Sequence, residues 1–340
     1  MRFLFCYLVI FFHVYNFPTD FDVPNPLVNA VYKISVFSVA YFAAVSGFYL
    51  GVGAEPAKYL TQVKKFAKLF IPAYLVLYVV NVLEIAFRSL LRGEPFALLD
   101  MISFSAPHLL IAYPIVLHLW YLLAMVLIFV LLYLLNAWGR PRVAFILAAL
   151  GWIFCVVPQL AGIPSTIPRA LVWLFPVYVG GAMAKIVLNK LKGRLSNGVF
   201  SVLVVLVLVL LCLLSINPMR SQVVEQFFGS WVLFPFIALA LMVICSLHQN
   251  LGRGTFFPEF AKKYTLNIYI IHFPVLLFVD DICIYFKWSR HYETLHQLMF
   301  FAVVAALTTG LAVLYKRLAV RWTHRSSGQA RACPWLHAEG

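Results

Sequence analysis

The sequence predicts an all-α protein, a polytopic membrane helix bundle of about ten transmembrane helices with both termini in the cytoplasm. Three observations predict it. Of 340 residues 64% are hydrophobic and 11% charged, where soluble domains carry about 45–50% and about 25%. A globule of this length has no interior large enough for that much apolar surface. The apolar residues also fall into runs of 15 to 23 residues, close to the ~20 needed to cross a ~30 Å hydrocarbon core. Finally, the basic residues segregate between alternate connections. High hydrophobicity with low charge is the reverse of a disordered chain. The net charge of +14 is spread too thinly to read first as a nucleic-acid surface.

The runs, bounded by charges and by Pro or Gly, lie at 3–17, 30–52, 68–87, 113–135, 143–161, 170–188, 199–216, 230–247, 264–282 and 297–315. The first begins at Phe3 behind Arg2, with no small-residue cleavage site after it, so it reads as a spanning helix and not as a cleaved signal peptide. The second closes on Gly51 and Gly53, and the third follows Lys64, Lys65 and Lys68. The fourth and fifth flank Gly139-Arg140-Pro141. The sixth starts after Pro168-Arg169 and runs toward Lys190; the seventh stops at Asn217-Pro218. The eighth ends before Arg253, the ninth follows Lys262-Lys263, and the tenth ends at Lys316-Arg317. With the N-terminus inside, 19 of the 26 Lys and Arg fall on the cytoplasmic side and seven outside, as the positive-inside rule requires. Residues 1–318 then form one transmembrane domain, and 319–340 a basic, flexible cytoplasmic tail.

Six cysteines are present without any C-x-x-C or Cys/His pair at zinc spacing, so they read as small buried hydrophobes and no metal is expected. Phosphate-binding, nucleophile-elbow, zincin and dinucleotide motifs are absent, and with no nucleotide loop the chain is not a primary pump by itself.

Polar groups within the runs are the candidates for chemistry, because they are costly in a bilayer. Arg2 and His13 are eleven residues apart, which puts them on one helix face with about 16 Å between them. They read either as a functional pair or as anchors at opposite interfaces. Ser46-Gly47-Phe48 reads mainly as close helix packing. Lys65 and Lys68 sit one turn apart, able to hold phosphates as point charges or to mark topology. His118, Trp120 and Tyr121, in His-Leu-Trp-Tyr-Leu, fit an interfacial aromatic belt as well as a site. His272, midway along the ninth run with Asn267 and Tyr269 nearby, must face the bundle, in a site or in an interhelical hydrogen bond.

Taken in order, these segments resemble the bacterial integral-membrane acyltransferase-3 family. The match rests on Arg, ten residues, then His on the first helix (Arg2, His13); Tyr41-Phe42 leading into Ser46-Gly47-Phe48; and the basic stretch Lys64, Lys65, Lys68 ending at Pro72. It continues in His118 to Leu122 and in Thr265 with Ile268 to Pro274. The resemblance departs in its lysines where arginines are usual, in Asn267 where a small residue is common, and in the short lead before Arg2.

The resemblance implies a helix bundle that O-acylates glycans in the bacterial cytoplasmic (inner) membrane. Acetyl-coenzyme A is the expected acyl donor and the acceptor a hydroxyl of a cell-surface or lipid-linked glycan. His13 becomes the expected general base. Arg2, Lys65 and Lys68, with Ser46 and Gly47 lining the way, become the expected donor-binding set. His272, Tyr269, His118 and Trp120 are expected near the substrates. The expected partners are the bilayer, the acyl donor and the glycan, with no nucleic acid. The rival reading is a glycan flippase or small-solute transporter whose polar path is lined by Arg2, His13 and His272.

Overall fold

A computed structural model gives the fold. It describes residues 2–16, 37–92, 119–160, 167–191, 233–248, 254–286 and 294–331, with isolated helical residues at 31, 35, 198–199, 202 and 205–206. Among the described residues there are nine helices and no strand. They are α1 (Arg2–Asn16), α2 (Phe37–Leu50), α3 (Pro56–Arg92), α4 (Trp120–Ala137), α5 (Val143–Leu160), α6 (Ile167–Leu191), α7 (Leu233–Leu247), α8 (Phe256–Tyr285) and α9 (Thr294–Arg331). Nine of the ten apolar runs coincide with one of these helices. The remaining run, 199–216, lies outside the described residues except for helical positions 199, 202, 205 and 206.

Among the described residues, four stretches are long and apolar enough to cross a bilayer: Trp120–Ala137, Val172–Lys190, Phe256–Cys283 and Gln297–Leu318. Shorter apolar helices are found at Phe3–Tyr15, Ser38–Leu50, Val143–Val157 and Phe236–Leu247.

Three helices reach well beyond the bounds drawn from composition, among them α8, which starts at Phe256 and not near 264. α3 starts at Pro56, not near 68, so the basic stretch rides on the helix itself. Pro56 at the first helical position has no N–H to leave unpaired and a φ already suited to the turn. The Lys58 amide closes that turn on the Glu55 carbonyl at 2.9 Å, and the Lys58 ammonium pairs with Glu55 at 3.4 Å. α9 runs past residue 318 as far as Arg331, through the start of the stretch that composition reads as a tail. Pro72, Pro176 and Pro274 lie within α3, α6 and α8. Each removes one helix hydrogen bond, a loss that membrane helices accommodate through their neighbours.

The outer surface is apolar in stripes. On α9, Val303, Leu307, Leu311, Leu314 and Leu318 are exposed, and on α3 Ile71, Leu75, Val79 and Leu83. Spacings of three and four residues mark one helix face, and an apolar face in contact with solvent this long is what lipid covers. The protein is a membrane protein.

α1 lies inside the bundle. Phe5, Leu8 and Val9 pack into one apolar core with residues of α2, α3, α4, α6 and α7. Cys6, Ile10, Phe11, Val14 and Tyr15 pack into a second core with α8 and α9. Residues of α1 therefore contact protein on both sides. Against α8 it runs parallel. The Phe3 ring lies 4.9 Å from Phe257 and 5.6 Å from Phe260, and the Cys6 thiol donates to the Thr265 carbonyl at 3.4 Å. Against α9 it runs antiparallel, with Tyr7 Oη 2.7 Å from Thr309 Oγ1 and the Phe11 ring 5.3 Å from Phe301.

Candidate functional site

The parallel pairing of α1 with α8 puts two histidines side by side. The His13 and His272 rings have centroids 5.2 Å apart and are tilted by 41°. His13 also meets Phe273 edge-on at 5.5 Å and Phe12 at 5.3 Å. It is half-buried, whereas His272 is fully buried.

His272 Nδ1 lies 2.6 Å from the Tyr269 carbonyl one turn back on its own helix. A carbonyl has no proton to give, so the imidazole donates from Nδ1, and in the neutral ring Nε2 is the acceptor. Tyr269 continues the row. Its ring is 5.7 Å from His272 and 6.0 Å from Tyr121, and its hydroxyl hydrogen-bonds the Tyr121 backbone. Tyr121 in turn faces Phe42 of α2 at 6.3 Å. Four helices thus meet along His13, His272, Tyr269, Tyr121 and Phe42.

Of the residues singled out in the sequence, the structure brings His13, His272 and Tyr269 together. Trp120 opens α4 beside Tyr121, half-buried against the first core. His118 lies outside the described residues.

Arg2 is the first residue of α1, and its side chain lies outside the described ones. The unbroken helix keeps the eleven-residue spacing, hence the common face and the rise of about 16 Å to His13. Cys6 and Val9 sit on that same face between them, both buried, with Cys6 held to α8.

Ser46 and Gly47 lie elsewhere. The Ser46 hydroxyl donates to the Phe42 carbonyl of its own helix at 2.9 Å. Gly47 lies against the Tyr178 carbonyl of α6, and Gly181 of α6 lies against the Ala44 carbonyl of α2. Two glycines let the backbones of α2 and α6 touch, the usual means of holding helices together in lipid. Lys65 and Lys68 are exposed on α3.

Sequence reasoning did not single out Phe273 as a neighbour of His13, nor Phe42 as the end of the aromatic row. Both stand within segments it had read, but only the helix pairing shows what they touch.

Chemically, the paired imidazoles offer a proton acceptor in a setting lined by aromatic rings. A neutral imidazole there can take the proton of a hydroxyl as that hydroxyl attacks an electrophile.

Residues 1–317 match the family model of an acyltransferase domain, that of the acyltransferase-3 family. No curated protein and no solved structure matches the chain.

Proposed function

The chain belongs to the acyltransferase-3 family, and from that premise we propose that it is a membrane O-acetyltransferase acting on glycans. It moves an acetyl group from acetyl-coenzyme A to a hydroxyl of a cell-surface or lipid-linked glycan, in the bacterial cytoplasmic membrane. The observation that carries this reading is the His13–His272 pair at the α1–α8 contact. His13, the less buried of the two, accepts the hydroxyl proton while the hydroxyl oxygen bonds to the thioester carbonyl carbon. The C–S bond then breaks, and the proton passes from His13 to the departing coenzyme A thiolate. His272 and Tyr269 orient the acceptor or thioester, with His118 and Trp120 near the same substrates. The phosphates of the donor lie at the basic face, held by Arg2, Lys65 and Lys68 as charges. Ser46 and Gly47 shape the wall beside the donor through the α2–α6 contact. No metal is required by this chemistry.

The topology proposed with it has ten crossings, both termini in the cytoplasm, residues 1–318 as one membrane domain and 319–340 as a basic cytoplasmic tail. The parallel α1 and α8 support an odd number of crossings between them.

The test is transfer of labelled acetyl from acetyl-coenzyme A to membrane glycan, with release of free coenzyme A, by wild type and by His13→Ala inserted to the same level. Loss of both signals in the variant is expected. Undiminished transfer by the variant refutes the role of His13, and absence of both signals in the wild type favours a transporter.

A further inference from the structure

The corner between α2 and α3, residues 51–55, is tied down by side chains from three other places in the fold. Gly51 takes a φ of +81° there, a conformation open to glycine at little cost. The end of a helix leaves carbonyls without partners, and here those of Gly47, Tyr49, Gly51 and Val52 are taken, Gly47 by the Gly51 amide. The Gly51 carbonyl accepts from Tyr178 Oη of α6 at 2.9 Å and from Tyr59 Oη of α3 at 3.1 Å. The Val52 carbonyl accepts from Asn136 Nδ2 of α4 at 2.9 Å. The Tyr49 carbonyl accepts from Lys185 Nζ of α6 at 3.3 Å. Tyr59 also receives the Ala54 amide at 3.1 Å. Tyr59 and Tyr178 are both fully buried.

The same tyrosine supports α3 a second time. The Tyr178 ring meets Phe129 edge-on at 5.9 Å, and Phe129 meets Phe66 at 5.5 Å. Phe66 is the residue between Lys65 and the turn that carries Lys68. Packing on this inner face leaves Lys64, Lys65 and Lys68 exposed on the other. From Tyr59 to Lys65 is about 9 Å of helix rise, so a loosened corner swings the lysines.

We propose that Tyr59, Tyr178 and Asn136 are positioning residues that clamp the α2–α3 corner and so hold the basic stretch of α3 at the angle that receives the phosphates of the acyl donor. The proposal rests on the donor reading given above, and adds to it three residues that touch neither donor nor acceptor. Ordinary helix packing would make their loss a general loss of fold; a clamp makes it a selective loss of donor affinity.

Tyr178→Phe is the sharpest variant, because it keeps the ring against Phe129 and removes only the hydroxyl. Tyr59→Phe is its companion, should the first fold poorly. The distance between spin labels on Thr61→Cys of α3 and Trp138→Cys at the end of α4 reports the angle without any reference to activity. In both variants this distance distribution is expected to broaden. The KM for acetyl-coenzyme A is expected to rise threefold to tenfold, with kcat and the acceptor KM within twofold of wild type. In a Lys65→Ala, Lys68→Ala background the same Tyr178→Phe change is expected to have no further effect on donor KM. A broadened distribution with unchanged donor KM overturns the proposal, as does an equal fall in kcat, or a rise in donor KM that persists without the lysines. If the wild type shows no dependence on acetyl-coenzyme A at all, the donor reading itself fails, and the proposal with it.

Discussion

Replacing His13 by phenylalanine separates chemistry from packing at the proposed site. The His13 ring contacts Phe12, His272 and Phe273 at 5.3, 5.2 and 5.5 Å between centroids. Aromatic pairs of this kind contribute ~0.5–1.5 kcal/mol each beyond area burial. Truncation to alanine therefore removes about 1.5–4.5 kcal/mol of packing together with the imidazole, and a fall in activity could reflect either loss. His13→Phe keeps a ring in the same place and removes only the nitrogens. General-base assistance contributes about 10²–10⁴ in rate, or ~2.7–5.4 kcal/mol at ~1.36 kcal/mol per decade. The expected outcome is that both variants lose at least about a hundredfold in kcat per folded molecule, while only the alanine variant loses thermal stability. The assay is labelled acetyl transfer to membrane glycan, normalised to protein that elutes as a single species in detergent. A His13→Phe enzyme within about tenfold of wild-type kcat, a difference under ~1.4 kcal/mol, would refute the general-base assignment.

Three further outcomes are expected. Gly47→Ala forces a Cβ onto the Tyr178 carbonyl, main chain that cannot step aside, whereas a Cβ at Gly310 of α9 meets open space. Thermal unfolding in detergent should show the first destabilised by at least about 1–3 kcal/mol and Gly310→Ala stabilised by roughly 0.5–1 kcal/mol; equal effects would contradict the α2–α6 contact. Lys65→Ala with Lys68→Ala should raise the KM for acetyl-coenzyme A between about twofold and thirtyfold, from ~0.2–1 kcal/mol per exposed charge pair, with a smaller change at high salt; a change confined to acceptor KM would remove both lysines from the donor site. Cysteines placed at Lys58, Arg140 and Lys190, all exposed, should resist a membrane-impermeant maleimide in intact cells and react after permeabilisation. Labelling of any of them in intact cells would contradict the proposed orientation.

The helical class was legible because lipid selects for it directly: apolar runs of spanning length have few alternatives. Helix ends were less legible. The start of α3 at Pro56 is set by a local turn with Glu55 and Lys58, inside a polar stretch that hydropathy reads only as a connection. The His13–His272 contact was half legible. Each histidine stood out as polar matter in an apolar run, yet 259 positions separate them in sequence, and only the pairing of α1 with α8 joins them. Gly47 was read as packing first, and packing is where it lies; the resemblance added a donor-lining role that nothing in its contacts displays. The clamp at Gly51 was not legible at all. Tyr59, Asn136 and Tyr178 carry no motif, and their common target is a set of backbone carbonyls, which every sequence has and none advertises.

The direction of α1 relative to α8 bears on topology as much as on chemistry. Two neighbouring helices that both cross a bilayer point the same way only if an odd number of crossings separates them. Six helices, α2 to α7, stand between them among the described residues, and six is even. The apolar run 199–216 is the segment available to supply the odd crossing, which is the reason for proposing ten spans and not nine. With ten spans the antiparallel α9 would return the chain to the side where it began, the side to which the expected topology assigns 19 of the 26 basic residues. The same parity is what lets His13 and His272 meet. Each lies seven residues beyond the Cys6–Thr265 contact, toward the C-terminal end of its own helix. Had the two helices run antiparallel, those equal offsets would have carried the histidines toward opposite ends of the contact. The proposed catalytic pair and the proposed topology therefore depend on one geometric fact, and an even number of crossings between α1 and α8 would contradict both.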